Sequence, residues 1–216
     1  MQRRPLTPSF FVYPTQYRAP PPSVLYFDEE EMGFEGSGFQ GWATNTGGAG
    51  TCTQVVSPVK YGSYAARTRA PALADWAYLA KSSALAVLGI LVFEFYVYIA
   101  DFFGTTGSDY QFAGVYNDLV GRYVLALFMS PLATSWTHEG VSVYSGPSLS
   151  KSVWHRLLME HNYSTKLGRL WIDESLVKED TSVQNDACRI IYLGDGSGST
   201  MRGDFYWDHV GLGRKI

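Results

Sequence analysis

Apolar and polar positions alternate with a period of two along much of this chain, most fully in residues 84–103, ALAVLGILVFEFYVYIADFF. From Leu91 onward, Leu91, Phe93, Phe95, Val97 and Ile99 fall on one face, while Val92, Glu94, Tyr96, Tyr98 and Ala100 fall on the other. A side-chain period of two, carried by β-branched and aromatic residues, predicts a strand. The first face is wholly apolar and suits a sandwich core. The second is tyrosine-rich with one carboxylate and suits a semi-polar sheet surface able to meet a ligand. The same run is apolar enough to compare with a membrane helix. Against that, Glu94 would sit deep in a bilayer at real cost, and no Lys/Arg cluster flanks the run. The reading is a central strand, with no membrane insertion.

Shorter runs of the same kind predict further strands at 25–27, 52–57, 63–69, 77–81, 88–102, 110–116, 123–128, 140–144, 154–161, 169–172, 189–193 and 205–210. Gly, Pro, Asn, Asp and Ser separate them, and the segment SWTHE around Trp136 reads as a polar loop. About a dozen short strands with turn residues between them predict an all-β jelly-roll or sandwich of two sheets. No 3.6-residue period persists beyond two turns, and no fixed-period repeat marks a propeller or solenoid. Residues 1–23 break the pattern, with Pro5, Pro8, Pro14, Pro20, Pro21 and Pro22 set among Phe10, Phe11, Tyr13 and Tyr17. Proline removes backbone donors and favours extended chain, so this stretch predicts an arm. The chain divides into that arm, 1–23, and one sandwich domain, 24–216. The arm's aromatics need burial, either as a strap on their own domain or docked on a neighbouring subunit.

Composition narrows the classes. With 17% charged residues, 15% aromatics and 22 Gly in 216 residues, the chain is neither disordered nor a coiled coil. A net charge of -3 offers no basic surface for phosphates, so no nucleic-acid partner is expected. Arg3 and Arg4 lack a following apolar stretch before Pro14, so neither a secretory nor a twin-arginine leader is expected. Synthesis in a cytosol, with release by lysis or a dedicated route, follows from that reading. Cys52 and Cys188 predict two separate buried thiols in a reducing compartment, the alternative being a bond between neighbouring strands. There is no CxxC or Cys/His cluster to suggest zinc.

Three segments together resemble the concanavalin A-like lectin/glucanase superfamily and its jelly-roll carbohydrate-binding modules. Gly33-Phe34-Glu35-Gly36 with Gly41-Trp42, then residues 61–67 (YGSYAAR), look like the opening of those modules. Residues 153–157 (VWHRL) through 168–173 (GRLWID) are similar to the laminin-G-like hairpin. Residues 203–212 (GDFYWDHVGL) look like the closing strand. The likeness spans roughly residues 33 to 213. It implies a two-sheet β-sandwich whose opening and closing segments lie side by side. It also implies a structural calcium on Glu35 and Asp208, since calcium takes six to eight oxygen ligands. The closing motif reads Asp208-His209 where the family has two acids. The alternative is that both carboxylates hydrogen-bond backbone at the chain ends without metal.

The enzymes of that superfamily set a test. Glucanases carry paired carboxylates on one strand face as ExDxxE, a spacing that glycoside cleavage requires. Here Glu94 stands alone, with Tyr96 and Tyr98 where further acids would be needed, and Asp173-Glu174 read as turn residues. Lyases of similar fold cluster Arg, His or Gln, and Tyr. His155 and His161 instead share a strand face with Leu157 and Met159, and His138 and His209 carry no motif. Neither a G-x-S-x-G elbow nor a P-loop occurs; residues 194–199 (GDGSGS) read as a hairpin loop. Arg202-Gly203-Asp204 runs into the closing strand. The chain is therefore read as non-catalytic. Flat aromatics with a few polar groups suit the apolar faces of sugars, which makes Glu94, Tyr96, Tyr98, Trp136 and Trp171 the candidate glycan-binding residues, set against ordinary packing roles. A lectin-like structural protein of an assembled particle, a bacteriophage decoration, fibre or tail component anchored by residues 1–23, is the leading expectation. A carbohydrate-binding module and a glycan-degrading enzyme follow as alternatives.

Overall fold

The computed structural model describes residues 34–36, 38–39, 41–72, 74–85, 87–104, 111–194 and 202–215. The N-terminal arm, the predicted strand at 25–27 and most of the loop at 194–199 lie outside the described residues. Chain order gives β1 (Ala43–Gly47), β2 (Thr51–Val55), β3 (Ala65–Ala70), β4 (Trp76–Leu85) and β5 (Ile90–Asp101). Next come β6 (Gln111–Asn117), β7 (Arg122–Met129), β8 (Ala133–His138), β9 (Val141–Pro147) and β10 (Trp154–Asn162). The last four are β11 (Leu167–Ile172), β12 (Ser175–Thr181), β13 (Cys188–Gly194) and β14 (Gly203–Lys215).

They form two seven-stranded sheets, one in the order β1-β4-β13-β6-β7-β8-β9 and the other β12-β11-β10-β5-β14-β3-β2. All pairings are antiparallel. The two sheets pack face to face as a jelly-roll sandwich. Among the described residues no helix is long and apolar enough to cross a membrane.

The alternation around β5 is realised as predicted. Leu91, Phe93, Phe95, Val97 and Ile99 are fully buried between the sheets, where they meet Leu125, Leu127 and Trp136 of the facing sheet and Trp207 of β14 in one core. Burial of such side chains stabilises the fold by about 1.5–3 kcal/mol each. β5 is the middle strand of its sheet, paired along its length with β10 and β14. Eleven of the predicted strands thus correspond to observed ones. Three observed strands were not predicted. β1 and β12 are sheet margins with polar composition, and β8 alternates Thr134, Trp136 and His138 inward with Ser135 and Thr137 outward, so that its polar half masks the pattern. Trp136 is therefore not in a loop.

The closing strand pairs with residues 66 and 67 of the opening, as the resemblance implies. β14 lies between β5 and β3, while the segment at Phe34 and Gly36 docks beside β2, where the Gln54 side-chain amide donates to both of their carbonyls. Asp173 and Glu174 are indeed turn residues, with φ of 48° and 68°, the paired left-handed conformation of a two-residue β11–β12 hairpin. The two cysteines are free thiols, Cys188 buried and Cys52 partly so.

Candidate functional site

Glu94, Tyr96 and Tyr98 lie on the outer face of the β5 sheet, as the alternation places them. The first two are covered there. Glu94 is 4% exposed and accepts from Arg156 Nε at 2.7 Å, across the β5–β10 pairing. Tyr96 is 7% exposed, its ring edge-on to Tyr61 at 5.2 Å and to His209 at 5.9 Å, with the Lys60 ammonium 5.4 Å from its centre. Burial is the main force raising its phenol pKa. Tyr98 is half-buried between Trp154 and Tyr206. Trp171 lies on the same face, packed on Leu158 and Val92. Trp136 stands apart from this group, because it points inward from the opposite sheet, is fully buried, and stacks on His138 at 5.4 Å. It has no surface to offer a ligand.

Glu35 and Asp208 converge on one loop. Glu35 accepts from Ser63 N and Tyr64 N, and Asp208 accepts from Lys60 N, Tyr61 N and His209 N. Every carboxylate oxygen of the pair faces an amide hydrogen. The carboxylates clamp residues 60–64, and among the described residues no group of three or more metal-ligating side chains is assembled.

The other sheet holds a surface that sequence reading missed. On its outer face Tyr78, Tyr192, Tyr116, Tyr123 and Phe128 form a continuous row across β4, β13, β6 and β7. Successive ring centres are 5.7, 5.9, 5.0 and 5.7 Å apart. All five rings are half-buried. Beneath them Gly114 pairs with Ala126, and a Cβ on Gly114 would come within 2.9 Å of that alanine's. Small residues at this crossing let the rings lie down along the sheet instead of standing off it. A hollow of about 420 Å³ adjoins one end of the row, lined by Asn45, Lys81, Ser82 and the rings of Tyr78 and Tyr192. Another of about 430 Å³ adjoins Phe128 and is lined by Ser130, Ser135, Thr137, Ser142 and Ser145. Nearby, Arg189 pairs with Asp118 and Arg122 with Asp186, while Lys81 lines the first hollow. Spacing within one strand could not find this row, because its members come from four strands whose neighbours in space are distant in sequence.

A buried polar chain links the two sheets. His138 Nδ1 lies 2.8 Å from Asp180 Oδ2, and His138 Nε2 lies 2.8 Å from His161 Nδ1, one proton being shared between the two rings. His161 Nε2 then lies 2.9 Å from the Asn185 amide and 3.4 Å from Glu139. Burial pushes His161 down to about 4 and Glu139 up to about 8. Burial lowers His138 as well, against the pull of Asp180. Burial thus works against charge on both imidazoles and on the Glu139 carboxyl.

No family model matches the chain, and no curated protein matches it. Solved structures do. Endo-β-1,4-glucuronan lyase from the fungus Trichoderma reesei superposes with a TM-score of 0.60 at 14% identity, over 81% of this chain and 92% of that one. Cellulose induced protein Cip1 reaches 0.67 at 10% identity, over 86% and 97%. A carbohydrate esterase from the Shiga toxin-encoding bacteriophage phi24B reaches 0.56 at 11% identity, over 80% and 89%. Carbohydrate recognition domains and a carbohydrate binding module also match. The fold is the concanavalin A-like jelly roll, and at these identities the likeness is one of fold.

Proposed function

We propose that this chain is a glycan-binding, lectin-like component of an assembled particle, with the tyrosine row as its binding surface. The five-ring platform carries the reading. Sugar rings expose apolar C–H faces that lie flat on tyrosines, and a hydroxyl-lined hollow at one end and a hollow with Asn45, Lys81 and Ser82 at the other can receive the polar edges of a chain running across the strands. Ring centres about one strand spacing apart offer successive stacking positions. Lys81 at one hollow adds a cation that a polar or acidic substituent of the glycan would meet. The names of the structural neighbours, many of which concern carbohydrate, support the same reading.

A glycan array followed by calorimetry tests it. Tyr192→Ala and Tyr116→Ala should each weaken binding roughly tenfold, about 1.4 kcal/mol, while Tyr98→Ala on the opposite sheet leaves it unchanged. Equal affinity in all three would remove the tyrosine row from the account.

For the particle role, the Pro-rich arm at 1–23 is proposed to dock on neighbouring subunits, and the bacteriophage origin of one structural neighbour supports a particle setting. Light scattering of the full chain beside one starting at Ser23 checks it. A defined oligomer that becomes a folded monomer on truncation is the expected result; two monomers would make the arm a strap on its own domain.

A further inference from the structure

At one end of the sandwich, apart from both outer faces, a serine, a histidine and an aspartate from three segments meet. Ser150 is exposed on the loop leading into β10, His155 is buried on β10, and Asp173 opens the β11–β12 turn. Ser150 Oγ lies 3.2 Å from His155 Nε2, and His155 Nδ1 lies 2.7 Å from Asp173 Oδ2. The other oxygen of Asp173 accepts from Arg156 N at 2.9 Å, which fixes the carboxylate in the plane it needs. Oxygen, imidazole and carboxylate stand in the order that turns a hydroxyl into a nucleophile, with each ring nitrogen given a distinct partner. We propose that Ser150, His155 and Asp173 form an acyl-transfer site that hydrolyses small-acyl carboxylic esters.

In this step Ser150 Oγ gives its proton to His155 Nε2 and forms a bond to the acyl carbon. The tetrahedral adduct then breaks its bond to the alkoxy oxygen, which leaves as the alcohol with the proton from His155. Water, deprotonated by the same nitrogen, cleaves the acyl–serine ester, releasing the carboxylic acid and restoring the hydroxyl. Ser150 and His155 are the catalytic residues, and Asp173 is a positioning residue. The exposed loop receives a short acyl group on a bulky alcohol more readily than a long chain that needs a deep apolar slot.

His155 Nε2 also lies 3.0 Å from the Ser150 carbonyl. When the imidazole is protonated, its N–H donates there and the base is capped; when it is neutral, the lone pair is free for the hydroxyl. Burial opposes the charged form, but Asp173 and the Ser150 carbonyl together hold the imidazole above its ordinary range, and Lys60 acts on Asp173 from outside. Activity should therefore rise with pH as His155 loses its proton.

The full chain is tested with p-nitrophenyl acetate and with a fluorophosphonate, the labelled residue being located by mass spectrometry. Labelling at Ser150 is expected, with hydrolysis falling about 100-fold in Ser150→Ala, whose exposed position leaves the thermal melt unchanged. Asp173→Asn should slow labelling and move its pH inflection downward, a shift that a merely structural role would not produce. The absence of label on Ser150, or hydrolysis undiminished in Ser150→Ala, overturns the proposal. An unmoved inflection in Asp173→Asn removes that residue from it.

Discussion

Glu94 illustrates how one side chain can read two ways. As a lone carboxylate among tyrosines it suggests a ligand contact; in the fold it is a buried anion whose partner, Arg156, arrives from the next strand at 2.7 Å. Removing one member leaves the other charged in a dry place. Arg156→Leu should therefore cost about 3–5 kcal/mol, and most of that should return in the Glu94→Leu, Arg156→Leu double variant, as read from urea unfolding midpoints. The clamp residues behave differently, because each holds exposed or half-buried backbone. Asp208→Asn keeps the shape but weakens the acceptors for Lys60, Tyr61 and His209 amides, and about 1–2 kcal/mol of stability should be lost in the same assay.

Single elements explain what was legible. β5, β10 and β14 were evident from sequence because both neighbours and the facing sheet bury one side of each, which forces strict alternation. β8 was hidden, since Ser135 and Thr137 face outward and Thr134 and His138 face inward, leaving Trp136 as the one large apolar residue in view. Its inward histidine makes sense only beside His161 of β10, 23 residues away and in the other sheet. Pairing between sheets leaves no trace in spacing, and the same is true of the tyrosine row and of the Ser150–His155–Asp173 arrangement. The bridge between β8 and β10 has a definite pH signature. Below about 6.5 the unfolded chain protonates its histidines while His138 and His161 resist, so their contribution is lost as pH falls from about 6.5. Glu139 acts in the opposite sense. The folded chain holds its proton up to about 8 while the unfolded chain releases it near 4.5, so stability from this group is lost as pH rises between those values. The two histidines contribute to the acid limb and Glu139 to the alkaline one, where His155, raised by Asp173 against the effect of burial, acts in the same sense. Thermal melts across this range should peak near pH 6.5, and Glu139→Gln should flatten the decline toward pH 8.

At the scale of the whole molecule, the sandwich presents two unlike faces and one chemically equipped end. The β5 face holds the Glu94–Arg156 pair, a covered Tyr96 and a half-buried Tyr98, the opposite face lays out a half-buried aromatic row across four strands, and the end near Ser150 carries the hydroxyl, imidazole and carboxylate. A glycan held on one surface and an ester met at another need not compete for the same groups, so Tyr192→Ala should leave p-nitrophenyl acetate hydrolysis unchanged.

The four marginal strands bear on how such bodies can pack together. β1 reads ATNTG, β2 TCTQV, β9 ends in Pro147, and β12 carries Lys178, Glu179 and Asp180. A proline and closely spaced charges make β9 and β12 poor templates for a foreign backbone. Two copies meeting side by side therefore cannot zip their sheets into an endless ribbon.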